Sequence, residues 1–293
     1  MYRAEVTPRS TFVTLRGLRQ HVLHWGPEHD AAQTWFLLHG FQDCAATFQF
    51  LVDALPRDWR FIAPDLRGFG ASEGTAQPYW FPDYFADLDA LLELLEPAQP
   101  VRLLGHSLGG NVVSMYAGIR PERVERLISL EGFGLRRTPA TQAPQRYAEW
   151  LQQLRLPPRE GRYASVEALA GKLRQRNARL TSERASFIAR AWTRDGDDGA
   201  VELRFDPWHR LVNPTLYRRE EAEACWRRVT APALLVLAAE SEYLQRLQAD
   251  GDAASLASAF PATTLVTLAG LGHMMHHEDP AAVAASIVAW SKD

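Results

Sequence analysis

The chain has 293 residues, 46% hydrophobic and 23% charged, with a net charge of −3. That is the composition of a folded globular protein with one large core, and it leaves no whole-chain basic footprint for nucleic acid. No apolar run approaches the roughly 20 residues needed to span a bilayer, and the distant Cys44 and Cys225 form neither a metal-type spacing nor a disulfide framework. The first residues lack a basic segment followed by an apolar one. No secretory signal is read there, and a cytoplasmic location is expected.

Residues 11–15 and 21–25 alternate apolar with polar side chains around Gly17, the pattern of an antiparallel hairpin. Residues 34–38 form a continuous apolar run, as in a strand buried on both faces. It ends in His39-Gly40-Phe41. A loop of this kind can aim backbone N–H groups at a reacting oxygen, although alone it is also an ordinary strand-to-helix loop. Residues 60–64 are the next strand, followed by Asp65-Leu66-Arg67-Gly68-Phe69-Gly70-Ala71-Ser72. The G-x-G within it is not a dinucleotide fingerprint, because no third glycine opens a helix at the required spacing. Pro82 suits the first turn of a helix reaching about Leu95, with Phe85, Leu88, Leu91, Leu92 and Leu95 at helical spacing. The aromatic cluster 79–81 fits either a pocket mouth or burial against that helix.

Residues 101–104 read as a buried strand, 105–109 match G-x-S-x-G, and 111–119 read as a helix. Strand, sharp turn and helix are the context that this motif requires. Gly105 and Gly109 permit a close approach of strand and helix. Ser107 is then thrust out above the sheet, facing helix N–H groups that favour negative charge. Residues 124–130 are another buried strand, ending at Glu131-Gly132-Phe133-Gly134.

From about 136 to 228 helical periodicity replaces the strand runs. Tyr147, Trp150, Leu151 and Leu154 share one face, and so do Val166, Leu169, Ala170 and Leu173, with Ser165 as N-cap. Thr181 or Ser182 opens a third helix, residues 195–199 form a turn, and a last helix spans about 215–228. The segment carries 19 basic and 12 acidic residues. Strands return at 232–237 and 263–268, separated by a helical stretch over 244–260. After Gly270-Leu271-Gly272-His273, Pro280 opens a final helix. Strands alternating with helices predict a mainly parallel sheet with right-handed crossovers, whose carboxyl edge is the place for a ligand.

A serine hydroxyl needs a base in hydrogen-bond reach, and the base needs an orienting acid. His273, in its glycine-flanked turn after the last strand, is the candidate base. His276 and His277 are rivals, and as a metal pair they lack a third ligand cluster in the sequence. Glu131, at the end of a buried strand, and Glu242 or Glu240, after the later strand, are the candidate acids.

Five stretches together resemble the α/β-hydrolase superfamily from about residue 10 onward: 39–41, 65–72, 105–110, 120–124 and 270–273. Within it the chain is similar to the serine hydrolase-like, esterase/lipase-type group. The resemblance implies a mainly parallel sheet flanked by helices, with a core of 1–135 and 229–293 and a helical cap of 136–228 inserted after the strand ending at Glu131. It implies Ser107 as nucleophile, His273 as base and the N–H groups of Phe41 and Leu108 as oxyanion hole. The usual member carries Asp shortly after the strand equivalent to 234–237, where this chain has Ser241. Some members take the acid from the preceding strand instead, and Glu131 stands there. Glu131 is the chosen acid, with Glu242 as the alternative. A serine nucleophile disfavours dehalogenase and epoxide hydrolase chemistry. The expected function is hydrolysis of a small-molecule carboxylic ester or thioester through an acyl-enzyme, with no metal or organic cofactor. Carbon–carbon bond hydrolysis or acyl transfer on the same triad is the alternative, as is a slow-turnover ligand-binding receptor.

Overall fold

The computed structural model describes every residue except Met1, Pro157, Glu160, Pro261, Ala262 and Asp293. Strands β1 (Arg9–Leu15) and β2 (Leu18–Trp25) form the expected hairpin. Both turn residues, Arg16 and Gly17, have positive φ, as a two-residue turn matching strand twist demands. Next come β3 (Gln33–Leu38), α1 (Gln49–Ala54), β4 (Trp59–Pro64), α2 (Phe81–Leu95), β5 (Val101–His106), α3 (Leu108–Ile119) and β6 (Val124–Leu130). The intervening segment holds α4 (Ala143–Gln153), β7 (Arg162–Tyr163), α5 (Val166–Arg176), α6 (Ser182–Ala191), β8 (Thr193–Asp195), β9 (Val201–Leu203) and α7 (Arg219–Trp226). Then follow β10 (Ala233–Ala238), α8 (Glu242–Arg246), α9 (Ala253–Ala259), β11 (Thr263–Leu268), α10 (Met275–Glu278) and α11 (Pro280–Trp290).

Eight strands make one sheet in the order β1-β2-β4-β3-β5-β6-β10-β11. Every pairing from β4 to β11 is parallel; those of β2 are antiparallel. The unbroken apolar run of β3 is explained by two buried faces. Trp35 and Leu37 enter a core with Phe48, Ile287 and Trp290, whereas Phe36 and Leu38 enter another with Leu88, Val113 and Tyr116. Among the described residues no helix is long and apolar enough to cross a membrane.

The segment 136–228 is not wholly helical. It contains the expected caps, Ser165 accepting from the Ala168 N–H at 3.2 Å and Thr181 from that of Arg184 at 3.2 Å. It also contains a three-stranded antiparallel sheet, β7-β9-β8, with residues 196–199 as the turn between β8 and β9. Strands of two or three residues are too short for alternation to register as a pattern. The helix expected over 215–228 begins only at Arg219, and the stretch 244–260 is broken into α8, a 3₁₀ turn and α9.

His209 fastens this segment to the sheet. Its ring stacks between Tyr79 and Phe69, at 3.6 and 3.9 Å between centroids. Its Nε2–H donates to the Arg67 carbonyl at 3.0 Å, and Nδ1 faces the Tyr84 hydroxyl at 3.3 Å. Tyr79, left open between two roles, is thus a packing residue. Burial lowers the His209 pKa to about 3, despite the hydrogen bond to Arg67.

Two predictions follow from glycine packing. A Cβ on Gly109 would lie 2.0 Å from the Leu38 carbonyl oxygen, whereas one on Gly171, inside α5, meets nothing within 4 Å. Gly109→Ala is expected to cost at least about 2 kcal/mol by overpacking, and Gly171→Ala to add about 0.5–1 kcal/mol by helix propensity. Urea denaturation of both variants checks the opposite signs.

His209 sets an acid limb. Neutral when folded and protonatable when unfolded, it gives stability that is complete above about pH 6.5 and declines as pH falls toward 3. In His209→Gln the slope of unfolding free energy against pH between 6.5 and 4 should flatten by up to about 1.4 kcal/mol per pH unit. An unchanged slope in urea titrations across that range would contradict the assignment.

Candidate active site

The turn after β5 places Ser107 at φ 51° and ψ −111°, a conformation rare for a residue with a side chain. The two motif glycines allow it. A Cβ on Gly105 would lie 2.3 Å from the Gly109 carbonyl oxygen, so strand and helix touch backbone to backbone. The Ser107 N–H donates to the Leu130 carbonyl at 2.9 Å and the Gly109 N–H to that of His39 at 3.1 Å. These bonds tie the turn to the ends of β6 and β3.

The loop 39–41 packs directly against the turn: a Cβ on Gly40 would approach His106 Nδ1 to 2.8 Å and Ser107 Cβ to 3.3 Å. His39 is buried and anchors the loop, its Nδ1 hydrogen-bonded to the Gly40 carbonyl at 2.8 Å and its Nε2 accepting from the Leu66 N–H at 2.9 Å. Asp65, from the neighbouring Gly-rich loop, accepts from the Ala45 and Ala71 N–H groups at 2.7 and 2.8 Å. Among the described residues, neither the Phe41 nor the Leu108 N–H is used in a hydrogen bond. Two unspent donors therefore lie on the two loops that meet at Ser107.

The structure brings Ser107, His273 and Glu131 together. His273 Nε2 lies 2.9 Å from Ser107 Oγ, and Nδ1 lies 3.1 Å from Glu131 Oε2. The Glu131 side chain is fully buried, and its backbone has φ 56°. Its Oε1 accepts the Ala238 N–H at 2.8 Å, and its Oε2 also accepts the Ser241 hydroxyl. The His273 carbonyl accepts from His106 Nε2 at 2.8 Å. Burial holds the His106 imidazole well below its usual basicity, so His106 is a neutral brace. Behind the turn, Gly272 N–H donates to Glu278 at 2.6 Å, and from the intervening segment Asn177 Nδ2 donates to the same carboxylate at 2.7 Å and Arg179 Nε to the Gly270 carbonyl at 2.8 Å.

The rival residues stand elsewhere. The Glu242 side chain is 78% exposed and pairs with Arg246. His276 and His277 are buried and face Asp43, with Nε2 to Oδ2 distances of 3.7 and 3.5 Å. Burial lowers His276 to about 3, too weakly basic for a general base. Asp43, His276 and His277 are the described residues that could hold a metal ion, with ligand atoms within 4.8 Å of one another. The third ligand type missing from the sequence reading is thus brought to the histidine pair by Asp43, and Asp43 Oδ2 and both Nε2 atoms are buried without a hydrogen-bond partner among the described residues.

Three supporting groups are invisible in the sequence because they act through tertiary contact. His106 lies inside the motif yet carries no sign that it would reach the His273 carbonyl. Asn111 Oδ1 accepts the Gly134 N–H at 2.7 Å, and the buried Arg219 donates to the Phe133 and Leu135 carbonyls at 3.0 and 3.1 Å. They hold the loop after Glu131, which frees the Glu131 carboxylate from bracing it.

Comparison with known proteins shows the family of the fold. A family model described as the alpha/beta hydrolase fold matches residues 36–280. A serine hydrolase-like protein of Danio rerio is 29% identical over 272 residues, covering 90% of this chain and 82% of that protein. The solved structure of a hypothetical protein from Pseudomonas aeruginosa PAO1 has a TM-score of 0.83 at 29% identity, covering 97% of this chain and 99% of that one. The thioesterase domain from the curacin biosynthetic pathway shares the fold, with a TM-score of 0.80 at 24% identity over 96% of this chain and 99% of that one. The chain belongs to the α/β-hydrolase family, a hydrolase of the α/β type whose relatives are the serine hydrolase-like proteins.

Proposed function

We propose that the chain hydrolyses a carboxylic ester or thioester through Ser107, His273 and Glu131. The observation that carries this is the continuous contact from Ser107 Oγ through both ring nitrogens of His273 to Glu131, at 2.9 and 3.1 Å. Ser107 Oγ attacks the substrate carbonyl while His273 Nε2 takes its proton. Negative charge then develops on the former carbonyl oxygen, and the free N–H groups of Phe41 and Leu108 stabilise it. Glu131 holds the His273 tautomer with Nδ1 protonated and stabilises the imidazolium that forms. His273 returns the proton to the departing alcohol or thiol. Water, deprotonated by the same nitrogen, then releases the acid from the acyl-enzyme. Residues 136–228 form a cap over this edge of the sheet. Support comes from their contacts with the site loops: Trp192 Nε1 donates to Asp43 at 2.8 Å, and His209 grips Arg67. The thioesterase neighbour makes thioesters worth including among the substrates.

A fluorophosphonate probe should label Ser107 stoichiometrically, and Ser107→Ala should remove labelling and at least about 10^3-fold of kcat/KM. Wild-type turnover by purified Ser107→Ala would overturn the proposal. His273→Gln should match that loss, whereas His276→Gln and His277→Gln should retain their rate per labelled site. Glu131→Gln is expected to lower kcat by about 10^3–10^4-fold, and Glu242→Gln to leave it unchanged. A panel of esters and thioesters graded by acyl length, read as kcat/KM, identifies the substrate class.

A further inference from the structure

Ser241 stands where the usual family member carries Asp, and here its hydroxyl makes a contact of its own. Ser241 is wholly buried, between β10 and α8. Strand β10 pairs in parallel with β6, so the end of β10 lies beside Glu131. The Glu131 N–H donates to the Val236 carbonyl at 3.0 Å, and its carboxylate lies across the end of β10, with Oε1 on the Ala238 N–H. The Ser241 hydroxyl donates to Oε2, the same oxygen that meets His273 Nδ1. Ser241 Oγ also accepts the Leu244 N–H at 3.3 Å as the N-cap of α8. One hydroxyl therefore joins the carboxylate to the cap of the next helix.

A buried carboxylate needs donors for its lone pairs. Glu131 has three within reach: a backbone N–H, the Ser241 hydroxyl and the His273 ring N–H. The first two fix its orientation. Because both neighbours share Oε2, the Ser241 bond draws electron density from the oxygen that faces the imidazole. It therefore locates the carboxylate and also moderates its hold on the imidazolium.

We propose that Ser241 is the positioning residue of Glu131. The inference rests on the Ser107–His273–Glu131 reading.

Rates are measured per active site, counted by the fluorophosphonate burst, so loss of folded protein does not enter. Ser241→Ala is expected to lower kcat about tenfold with KM nearly unchanged. It should also shift the acid limb of the kcat/KM profile to higher pH, because a carboxylate relieved of one donor holds the imidazolium more strongly. A merely structural serine would change the titratable fraction and leave that limb in place. Glu131→Ala should be nearly inactive. A wild-type kcat and unshifted limb in Ser241→Ala would overturn the positioning role. Full activity of Glu131→Ala or Ser107→Ala would instead bring down the underlying reading, so the two failures are told apart.

Discussion

The site depends on one close approach, that of the first turn of α3 to the end of β3. Gly109 lies so near Leu38 and His39 that no side chain fits between them, and its N–H donates to the His39 carbonyl. This contact lets the chain reverse from strand to helix within one residue, and Ser107 takes the positive φ that the reversal imposes. A backbone strained in this way persists only where its surroundings over-determine it. Here they do so from both sides, through β3 and β6. Among the described residues the Leu108 N–H, at the start of the helix that this approach sets, has no hydrogen-bond partner.

A second strained residue balances the first. Glu131 has φ 56° at the end of β6, next to β5 in the sheet. Its N–H still completes the pairing with β10, but the side chain is swung across the sheet edge toward His273. Ser107 and Glu131 thus leave adjacent parallel strands, and His273 follows β11 two strands beyond β6. The His273 turn spans that gap because His106 and Glu278 hold it from below. The intervening segment contributes Asn177, Arg179 and Arg219 to the same turns, so core and insertion are coupled at the site's supports.

Histidines show how burial sorts residues of one type. His106, His209 and His276 are kept neutral by desolvation, and each is placed for packing or for a single hydrogen bond. His273 keeps partial access to solvent and has a carboxylate on one side and a hydroxyl on the other. Three of these four lie within a few residues of a motif, and only the environment distinguishes a brace from a candidate base.

Much of this was legible in the chain itself, because local rules decide local structure. Alternation marked the hairpin, unbroken apolar runs marked the parallel strands, and Gly105 and Gly109 around Ser107 marked the turn, since each follows from backbone sterics within a few residues. The order of these elements implied the sheet. The short strands β7, β8 and β9 were not legible, because two or three residues carry no period and their pairing is set by neighbours distant in sequence. The sequence offered both Glu131 and Glu242, and the choice of Glu131 rested on its place at the end of a buried strand and on the family pattern. Both follow buried strands, and what separates them in space lies in the register of β10 against β6 and in the Ser241 hydroxyl that meets one carboxylate across 110 positions. Side-chain identity stated which groups were available. Only the tertiary structure decided which of them would meet, because that depends on distances of about 3 Å between residues that the chain itself keeps far apart.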